Sequence, residues 1–316
     1  MDQFRRNNID KDCRSVGASR TERACPPAHC NAAEGKAQDT RAAARRLDQF
    51  YTRKHVAELL FSVFCKYFDP SRFLCIEPSA GTGSISGLLP RGSIAYDIDP
   101  RASGIIKADF LKIELPAGRR IAVIGNPPFG KNSSMAVKFF NHAARGAAVI
   151  AFILPKTFQK ASIQRRLDPF FHLLHETAVP DDAFLFQGER KNVPAVIQIW
   201  VRRSVPREQV RLPIVHEDFE FTQGPWADFV IQRVGSNAGR VHSDRRASAS
   251  SHYFIKANVE GVETIMRSLD LQVVARRTAG NPSLAKTELV AWYSQYKMAL
   301  NLFSFCILCS MKDPTG

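Results

Sequence analysis

Short apolar runs alternate with stretches of helical periodicity through the middle of the chain. Apolar residues recur at helical spacing between positions 56 and 67 and predict a helix over residues 53–68, with Thr52 as its N-cap. Further helices are predicted near 83–89 and 134–145. Apolar runs bounded by turn residues are typical of buried strands, and they predict strands over residues 73–76, 93–96, 105–110, 121–124, 147–154 and 195–201.

This order of elements predicts an α/β fold. Short, mostly apolar strands separated by helices are typical of a mostly parallel central sheet that helices cover on both faces. Ligands bind to such sheets at the carboxyl ends of the strands. Polar side chains follow four of the predicted strands at that edge, namely Glu77, Asp97, Asp109 and Asn126. We therefore expect these four residues to meet in one site.

The pattern divides the chain into four segments. Residues 1–45 are polar and lack periodicity, so we expect them to be mostly disordered. Residues 46–203 carry the predicted sheet and form the catalytic domain. Residues 204–300 mix aromatic side chains with Arg, Ser and Gly and predict a small α+β accessory segment for substrate recognition. Residues 301–316 form an apolar tail, and the apolar stretch is too short to span a membrane.

The charge balance suggests a polyanionic partner. The 316 residues include 44 Lys and Arg against 30 Asp and Glu, a formal net charge of +14. Nucleic acid is the first candidate for a chain this basic, and an ordinary basic surface is the alternative. The first 48 residues contain no apolar signal-peptide core, and the cysteines show no disulfide pattern. We therefore expect a cytoplasmic protein without a membrane partner.

The cysteines do not predict a metal site. Seven are scattered along the chain. Cys25, His29 and Cys30 form one half-site and Cys306 with Cys309 another, but no matching pair completes either at a normal spacing. We expect no bound metal.

Asn126, Pro127, Pro128 and Phe129 carry the most specific chemistry in the chain. Two consecutive prolines have fixed φ and donate no backbone hydrogen bond, so they hold the Asn side chain and the neighbouring carbonyl groups in a stiff, acceptor-rich arc. Such an arc suits a flat ring that bears an exocyclic amino group, with Phe129 available to stack on the ring. A plain Pro-Pro turn is the alternative.

A second set of residues indicates a nucleoside-containing cofactor. Gly81 and Gly83 lie in a turn after a strand and allow a ligand to approach the backbone closely. Asp97 is placed to bind a ribose diol, and Asp109 can accept a hydrogen bond from an adenine amino group. An acidic, glycine-lined cleft suits the positive sulfonium of S-adenosylmethionine (SAM). A nicotinamide dinucleotide is disfavoured, because Ser86 stands where the third glycine of that motif would be.

In order and spacing, residues 77–83, 97, 109–110 and 126–129 resemble the amino-group methyltransferases with an N-P-P-F/Y signature. The resemblance covers residues 48–203 and is strongest to bacterial and phage N6-adenine DNA methyltransferases. It implies a Rossmann-like SAM-dependent methyltransferase fold with a small C-terminal α+β accessory segment. Its implied activity is methyl transfer from SAM to adenine N6 in DNA.

The resemblance also implies a role for each matching residue. Asn126 and Pro127 would accept hydrogen bonds from the target amino group, Pro128 would stiffen the arc, and Phe129 would stack on the target base. Asp97 would hold the cofactor ribose. The remaining cofactor-binding residues implied in this way are Thr52, Glu77, Pro78, Ala80, Gly81, Gly83, Asp109 and Phe110.

Two positions depart from the family pattern. Residues 49–52 resemble the segment that such enzymes place against the methionine end of SAM, but Arg53 stands where Pro often follows the Thr, which weakens the assignment of Thr52 to that end. Asp97 stands where Glu is common and has a shorter arm with the same chemistry. The segment 278–283 resembles a C-terminal element of related bacterial sequences, and the sequence gives it no role.

A base inside a duplex cannot reach such a pocket, so it must be flipped out or already single-stranded. Phosphate contacts would then contribute to binding, and a solvated basic helix face is the alternative for each basic residue. The candidates for these contacts are Lys131, Lys156, Lys160, Arg165 and Arg166.

Three other functions stay open at this point. An RNA N6-adenine methyltransferase would have a similar core, because the pocket contacts a base and not a sugar. A protein glutamine methyltransferase would use the same acceptors for a side-chain amide. A catalytically inactive nucleic-acid-binding relic of the fold is the alternative from a different class. DNA is favoured over RNA, and the oligomeric state and recognition sequence are not predicted.

Overall fold

The structure, a computed structural model, describes residues 50–186, 188–278 and 280–310, and the side chains as far as residue 300. The segment predicted to be disordered, residues 1–45, lies outside these residues. So does Gln49, the first residue of the segment that resembles the methionine-binding element.

Fourteen strands and six α-helices lie within the described residues. The strands are β1 (Tyr51–Thr52), β2 (Leu74–Glu77), β3 (Ile94–Asp97), β4 (Ile106–Lys107), β5 (Ile121–Gly125), β6 (Ala147–Pro155), β7 (Phe171–Ala178), β8 (Phe184–Phe186), β9 (Glu189–Lys191), β10 (Ala195–Arg202), β11 (Phe219–Thr222), β12 (Phe229–Gln232), β13 (Val241–His242) and β14 (His252–Ala257). The helices are α1 (Lys54–Cys65), α2 (Ser134–Ala144), α3 (Ala161–Gln164), α4 (Val262–Ser268), α5 (Leu271–Ala275) and α6 (Lys286–Ser310).

A seven-stranded sheet forms the centre of the molecule, and its strand order is β4-β3-β2-β5-β6-β10-β7. Strands β4, β3, β2, β5 and β6 pair in parallel. Strand β10 is antiparallel to both of its neighbours, β6 and β7. The predicted α/β fold with a mostly parallel sheet is therefore confirmed, and the reversed strand β10 is a detail that its apolar sequence does not reveal.

Two apolar layers cover this sheet. On one face, α1 packs through Val56, Leu60 and Phe64 against β5, β6 and β10. On the other face, α2 packs through Phe139 and Phe140, and the ring of Phe140 meets Trp200 of β10 edge to face. Because both faces are buried, the strands are nearly continuous apolar runs, which is why the sequence identifies them.

Two local predictions differ from the structure. Helix α1 begins at Lys54 with Arg53 at the N-cap position, whereas Thr52 lies in β1 and pairs with Phe184 of β8. Thr52 is therefore not an N-cap. The helix predicted over residues 83–89 is only a 3₁₀ turn, Ser86–Leu88. Glycine and serine dominate that stretch, and both are weak helix formers.

Four strands within residues 46–203, namely β1, β7, β8 and β9, have no counterpart in the sequence prediction. Strand β7 lies at the edge of the sheet, where Phe171 is buried but Leu173 and Leu174 are exposed, so its sequence lacks the continuous buried run of the central strands. Strands β8 and β9 form a hairpin that pairs with β1 in a separate three-stranded sheet. Tertiary pairing rather than local pattern defines these short elements.

A second unit follows the central sheet. A four-stranded antiparallel sheet, with strand order β11-β14-β12-β13, packs against α4, α5 and α6 around its own apolar core. This agrees with a small α+β segment after residue 204. Helix α6 continues through the predicted boundary at residue 300, so the first part of the apolar tail is helical. No helix among the described residues is long and apolar enough to cross a membrane.

Candidate active site

A cavity of about 300 Å³ lies at the carboxyl edge of the parallel strands. Residues that follow β2, β3, β4 and β5 all contribute to its wall, which is the arrangement expected for this type of sheet. The sequence-predicted residues that line it are Pro78, Gly81, Asp97, Asp109, Phe110, Asn126 and Pro128.

Asp97 ties two segments of the cavity wall together. Its Oδ2 accepts a hydrogen bond from the backbone N–H of Gly81 over 2.7 Å, and its Oδ1 accepts one from the N–H of Asp99 over 2.7 Å. A carboxylate has about four acceptor positions, so each oxygen keeps capacity for a further donor. Asp97 can therefore hold both the glycine turn and a ligand hydroxyl.

Glycine is required at position 81. Its φ of +52° is in the left-handed region, and a Cβ would lie 3.0 Å from Cδ1 of Tyr51. Tyr51 belongs to β1, so this close approach brings the first described strand against the turn after β2. A larger side chain would disturb both the turn and the cavity wall.

Asp109 and Phe110 close the opposite side of the cavity. Asp109 caps a 3₁₀ turn, since its Oδ1 accepts from the N–H of Leu111 over 3.1 Å. The ring of Phe110 is only 1% exposed and stacks on Phe139 with a centroid distance of 5.6 Å. Phe110 therefore forms a packed floor of the cavity rather than an open face for stacking.

Glu77 is a buried carboxyl beside this cavity. It is 1% exposed, and its Oε2 has no hydrogen-bond partner in the described part of the chain. Burial raises the pKa of Glu77 to about 8, and bonding to Ser86 only partly opposes that shift. Glu77, Ala80 and Asn126 border an adjoining space of about 30 Å³. Gly83 lines neither space, and its N–H donates to the carbonyl of Ala80.

The Asn126 amide is held in one orientation. Its Nδ2 donates to the carbonyl oxygen of Phe50 over 3.3 Å and to the hydroxyl oxygen of Thr52 over 3.1 Å. Both contacts require the nitrogen at that position, because both partners act as acceptors there. Asn126 Oδ1 is consequently turned away from them, and this buried acceptor has no donor among the described residues.

Thr52 does not line the 300 Å³ cavity. It is 9% exposed, and its hydroxyl group contacts Asn126 instead. The backbone carbonyl of Asn126 also has a partner, because its oxygen accepts a hydrogen bond from Ser79 Oγ over 2.9 Å. Sequence reasoning missed Ser79 and Phe50, although both belong to segments that it singled out.

Phe129 lies on a second cavity, of about 460 Å³, on the other side of the Asn-Pro-Pro-Phe segment. Its ring is partly buried and meets Phe184 of β8 edge to face at 6.3 Å. Pro127 is buried, and Gly130 lines both cavities. The segment therefore borders both spaces, which share Gly130 as a lining residue: Asn126 and Pro128 line the first, and Phe129 lines the second.

The five basic residues proposed for phosphate contacts have different environments. Lys131, Arg165 and Arg166 are exposed, and Lys156 is partly buried. Lys160 is not available for a phosphate. Its Nζ lies 3.1 Å from Glu288 Oε2 and 3.0 Å from the carbonyl of Ser283, and both charged side chains are 11% exposed. The sequence, which predicts Lys160 as a phosphate contact, does not reveal this partner, because Glu288 lies 128 residues away.

Comparisons with known proteins do not identify a family for this chain. No model of a known protein family matches the sequence, and no curated protein is significantly similar to it. Among solved structures, the chain is similar to a protein from Pyrococcus horikoshii described as an RNA methyltransferase, at 18% identity over 49% of this chain and 87% of that one, with a TM-score of 0.40.

Two further structures have comparable similarity. One, from Vibrio vulnificus YJ016, is described as a modification subunit of a type I restriction enzyme, at 15% identity over 71% of this chain and 58% of that one, with a TM-score of 0.38. The other is magnesium protoporphyrin IX methyltransferase from Synechocystis PCC 6803 with bound SAM. It is 14% identical over 47% of this chain and 78% of that one, with a TM-score of 0.35. Likeness at this level assigns no family or activity to this chain. The chain itself has a Rossmann-like α/β fold, with a mostly parallel seven-stranded sheet between helices.

Proposed function

We propose that this protein is a SAM-dependent methyltransferase that transfers a methyl group to the N6 amino group of adenine in DNA. The observation that carries the proposal is the Asn126 amide. Its oxygen is a buried acceptor without a donor in the part of the chain that the structure describes, and its nitrogen is fixed by Phe50 and Thr52. Leaving a buried acceptor unsatisfied is unfavourable, so the site is prepared for a ligand that brings an N–H group.

The protein would catalyse the reaction by positioning and electrostatics. The lone pair of adenine N6 is delocalised into the ring, which makes the nitrogen a poor nucleophile. Hydrogen bonds from N6–H to Asn126 Oδ1 and to the Pro127 carbonyl would favour the pyramidal nitrogen that develops in the transition state. The lone pair is then directed towards the methyl donor, and no covalent enzyme intermediate is needed.

The residues around the first cavity fit SAM. Asp97 can accept hydrogen bonds from the ribose hydroxyls, and Asp109 can accept one from the cofactor adenine. The Gly81 turn lets the methionine part pass close to the backbone, with Pro78 and Ala80 beside it, and Glu77 is the nearest buried carboxyl. When bound, SAM would supply an electrophilic methyl group on a positively charged sulfur; transfer of that group to N6 would leave the neutral thioether S-adenosylhomocysteine, and N6 would lose one proton to solvent.

The second cavity suits the target base. Phe129 offers a ring for stacking, and base–aromatic stacking contributes roughly 1–3 kcal/mol per base. Lys131 and Lys156 are neighbours in sequence of residues that line this cavity, which supports a role for them in binding phosphates. These groups would offset the cost of flipping a base out of a duplex. The net charge of +14 favours a polyanionic substrate over a glutamine side chain in a protein.

A single assay tests the proposal. The full chain is incubated with tritiated SAM and with unmethylated DNA, RNA of matched length or a glutamine-containing peptide. We expect the label to enter DNA, and nucleoside analysis should recover it as N6-methyl-2′-deoxyadenosine. Label in RNA alone would assign the same chemistry to an RNA substrate, and label in the peptide would assign glutamine. No transfer to any of them would contradict the enzymatic function.

A further inference from the structure

The 460 Å³ cavity beside Phe129 has walls from two parts of the chain. One wall comes from the catalytic domain and includes Phe129, Asn132 and Thr157. The other comes from the loop before α6 and includes Thr278, Gly280 and Asn281. This is the segment to which the sequence gives no role. The second unit of the fold therefore reaches the edge of the candidate active site.

We propose that this loop is part of the target-nucleotide site, and that the Asn281 side chain hydrogen-bonds the flipped-out nucleotide whose base stacks on Phe129. The inference rests on the proposed function and deepens it, because it assigns a recognition residue outside the catalytic domain. The ligand class is a purine nucleotide within a polynucleotide.

The loop is held firmly against the catalytic domain. Lys160 Nζ contacts both the Ser283 carbonyl and Glu288, the latter in the first turn of α6. Thr278 Oγ1 lies 3.2 Å from the Gly280 carbonyl and 3.3 Å from the Asn281 carbonyl. An ion pair that is almost fully buried and also hydrogen-bonded is costly to break. The cavity is therefore a preformed space and not a gap between loosely joined units.

Backbone hydrogen bonds within the second unit also hold the loop. The N–H of Gly235 donates to the Pro282 carbonyl over 3.0 Å, and the N–H of Leu284 donates to the Arg233 carbonyl over 2.8 Å. These bonds attach the loop to the end of β12. Asn281 itself is exposed and lines the cavity.

The opposite wall has an unusual backbone. Asn132 and Ser133 have φ values of +54° and +61°, and they are the non-glycine residues with positive φ in the described part of the chain. Ser133 cannot cap α2, because its hydroxyl group bonds Thr157 Oγ1 at 2.5 Å. Strained, non-glycine backbone persists where surrounding contacts enforce it, and such positions cluster at ligand sites.

Hydrogen-bonding capacity remains open on both walls. The side-chain amides of Asn132 and Asn281 make no hydrogen bond within the residues that the structure describes. An amide offers both a donor and an acceptor, which matches the ring nitrogens and sugar–phosphate oxygens of a nucleotide. Phe129 supplies a stacking surface between them but cannot distinguish one flat ring from another. Asn281 thus adds a polar contact that the catalytic segment lacks.

The test compares Asn281→Ala with Asn237→Ala, an exposed asparagine of the second unit that lines none of the cavities described above. Initial rates are measured with tritiated SAM and mixed-sequence, single-stranded DNA or RNA, and SAM affinity is measured by calorimetry. We expect Asn281→Ala to raise the KM for the polynucleotide about tenfold, the effect of one lost hydrogen bond. Its SAM affinity and melting temperature should match those of the wild type, and Asn237→Ala should behave as wild type throughout.

The outcomes separate the inference from the proposed function. Asn281→Asp should weaken polynucleotide binding further than Asn281→Ala, and salt should reduce the difference, because a carboxylate repels phosphates. If the wild type is active and Asn281→Ala has the KM of Asn237→Ala, the recognition role is wrong while the enzymatic function stands. If the wild type methylates neither polynucleotide, both proposals fail.

Discussion

The side-chain nitrogen of Asn126 donates a hydrogen bond to the hydroxyl oxygen of Thr52 over 3.1 Å, across 74 residues of sequence. Together with the Phe50 carbonyl, this contact decides which end of the Asn126 amide faces the cavity. Strand β1 lies outside the main sheet and yet orients the proposed catalytic group. Thr52 thus orients Asn126 in the structure and is not the helix cap that its sequence context predicts.

Thr52→Val should impair turnover without much change in binding. Valine keeps the branched shape that suits a strand but removes the acceptor, so the Asn126 side-chain amide is less firmly held in its orientation. We expect kcat to fall about tenfold, equivalent to one lost hydrogen bond, with the KM for the polynucleotide and the SAM affinity changed much less. Thr52→Ser, which restores the hydroxyl group, should recover most of the rate. Equal kcat values for Thr52→Val and the wild type would show that the contact does not matter for catalysis.

Asn126→Ala should abolish methyl transfer. The variant removes an acceptor that is needed where the nitrogen becomes pyramidal, and loss of one such preorganised group costs about 10²–10³ in kcat. Affinity for SAM, measured by calorimetry, should stay within a few-fold, because Asp97 and the glycine turn are untouched. Asn237→Ala, at an exposed asparagine outside both cavities, is the matched control. Retained turnover in Asn126→Ala would remove the catalytic assignment.

Asp97→Ala should weaken SAM binding by more than one hydrogen bond alone would predict. The carboxylate holds the N–H of Gly81 and of Asp99, so its loss also releases the glycine turn. We expect the dissociation constant to rise at least tenfold, since hydrogen bonds to charged groups contribute about 1.5–3 kcal/mol each. Asp244→Ala, at an exposed position in the second unit, should leave the affinity unchanged. Unchanged SAM affinity in Asp97→Ala would refute the ribose role.

The sequence predicts the central sheet and the edge that carries the site because local patterns encode both. Buried strands such as β5 and β6 are continuous apolar runs, and Glu77, Asp97, Asp109 and Asn126 each follow a strand. The contacts that orient those groups are different in kind. Thr52 with Asn126, and Lys160 with Glu288, pair across 74 and 128 residues, and no local pattern marks such partners. The strained backbone at Asn132 likewise follows from packing and not from sequence.

Lys131 and Lys160 should respond differently to substitution. Lys131 is exposed beside the second cavity, so Lys131→Gln should lower polynucleotide affinity and reduce the slope of log K against log salt by about one. Lys160→Gln leaves Glu288 buried without its partner and should lower the melting temperature, with the salt slope unchanged. Fluorescence anisotropy across a salt series and thermal melts measure the two effects. If Lys160→Gln also reduced the slope of log K against log salt, Lys160 would be a phosphate contact after all.

Glu77 should make stability depend on pH in a direction opposite to that of most carboxyl groups. Its folded-state pKa is raised to about 8 by burial, from an ordinary value of 4.5. Between these two values the unfolded chain releases the proton and the folded chain keeps it. The free energy of unfolding therefore falls as pH rises through this window, by at most about 1.4 kcal/mol per pH unit from this group. Above about pH 8 the contribution levels off.

Glu77→Gln isolates this effect, because glutamine stays neutral at every pH. The free energy of unfolding of the ligand-free protein is measured with urea from pH 5.5 to 8.5. It should decline less with pH for Glu77→Gln than for the wild type. Glu58→Gln, at an exposed position, should follow the wild type. Parallel pH profiles for Glu77→Gln and the wild type would contradict the raised pKa. A cationic ligand beside Glu77 favours the ionised carboxylate, so wild-type SAM affinity should rise with pH towards 8 more steeply than that of Glu77→Gln.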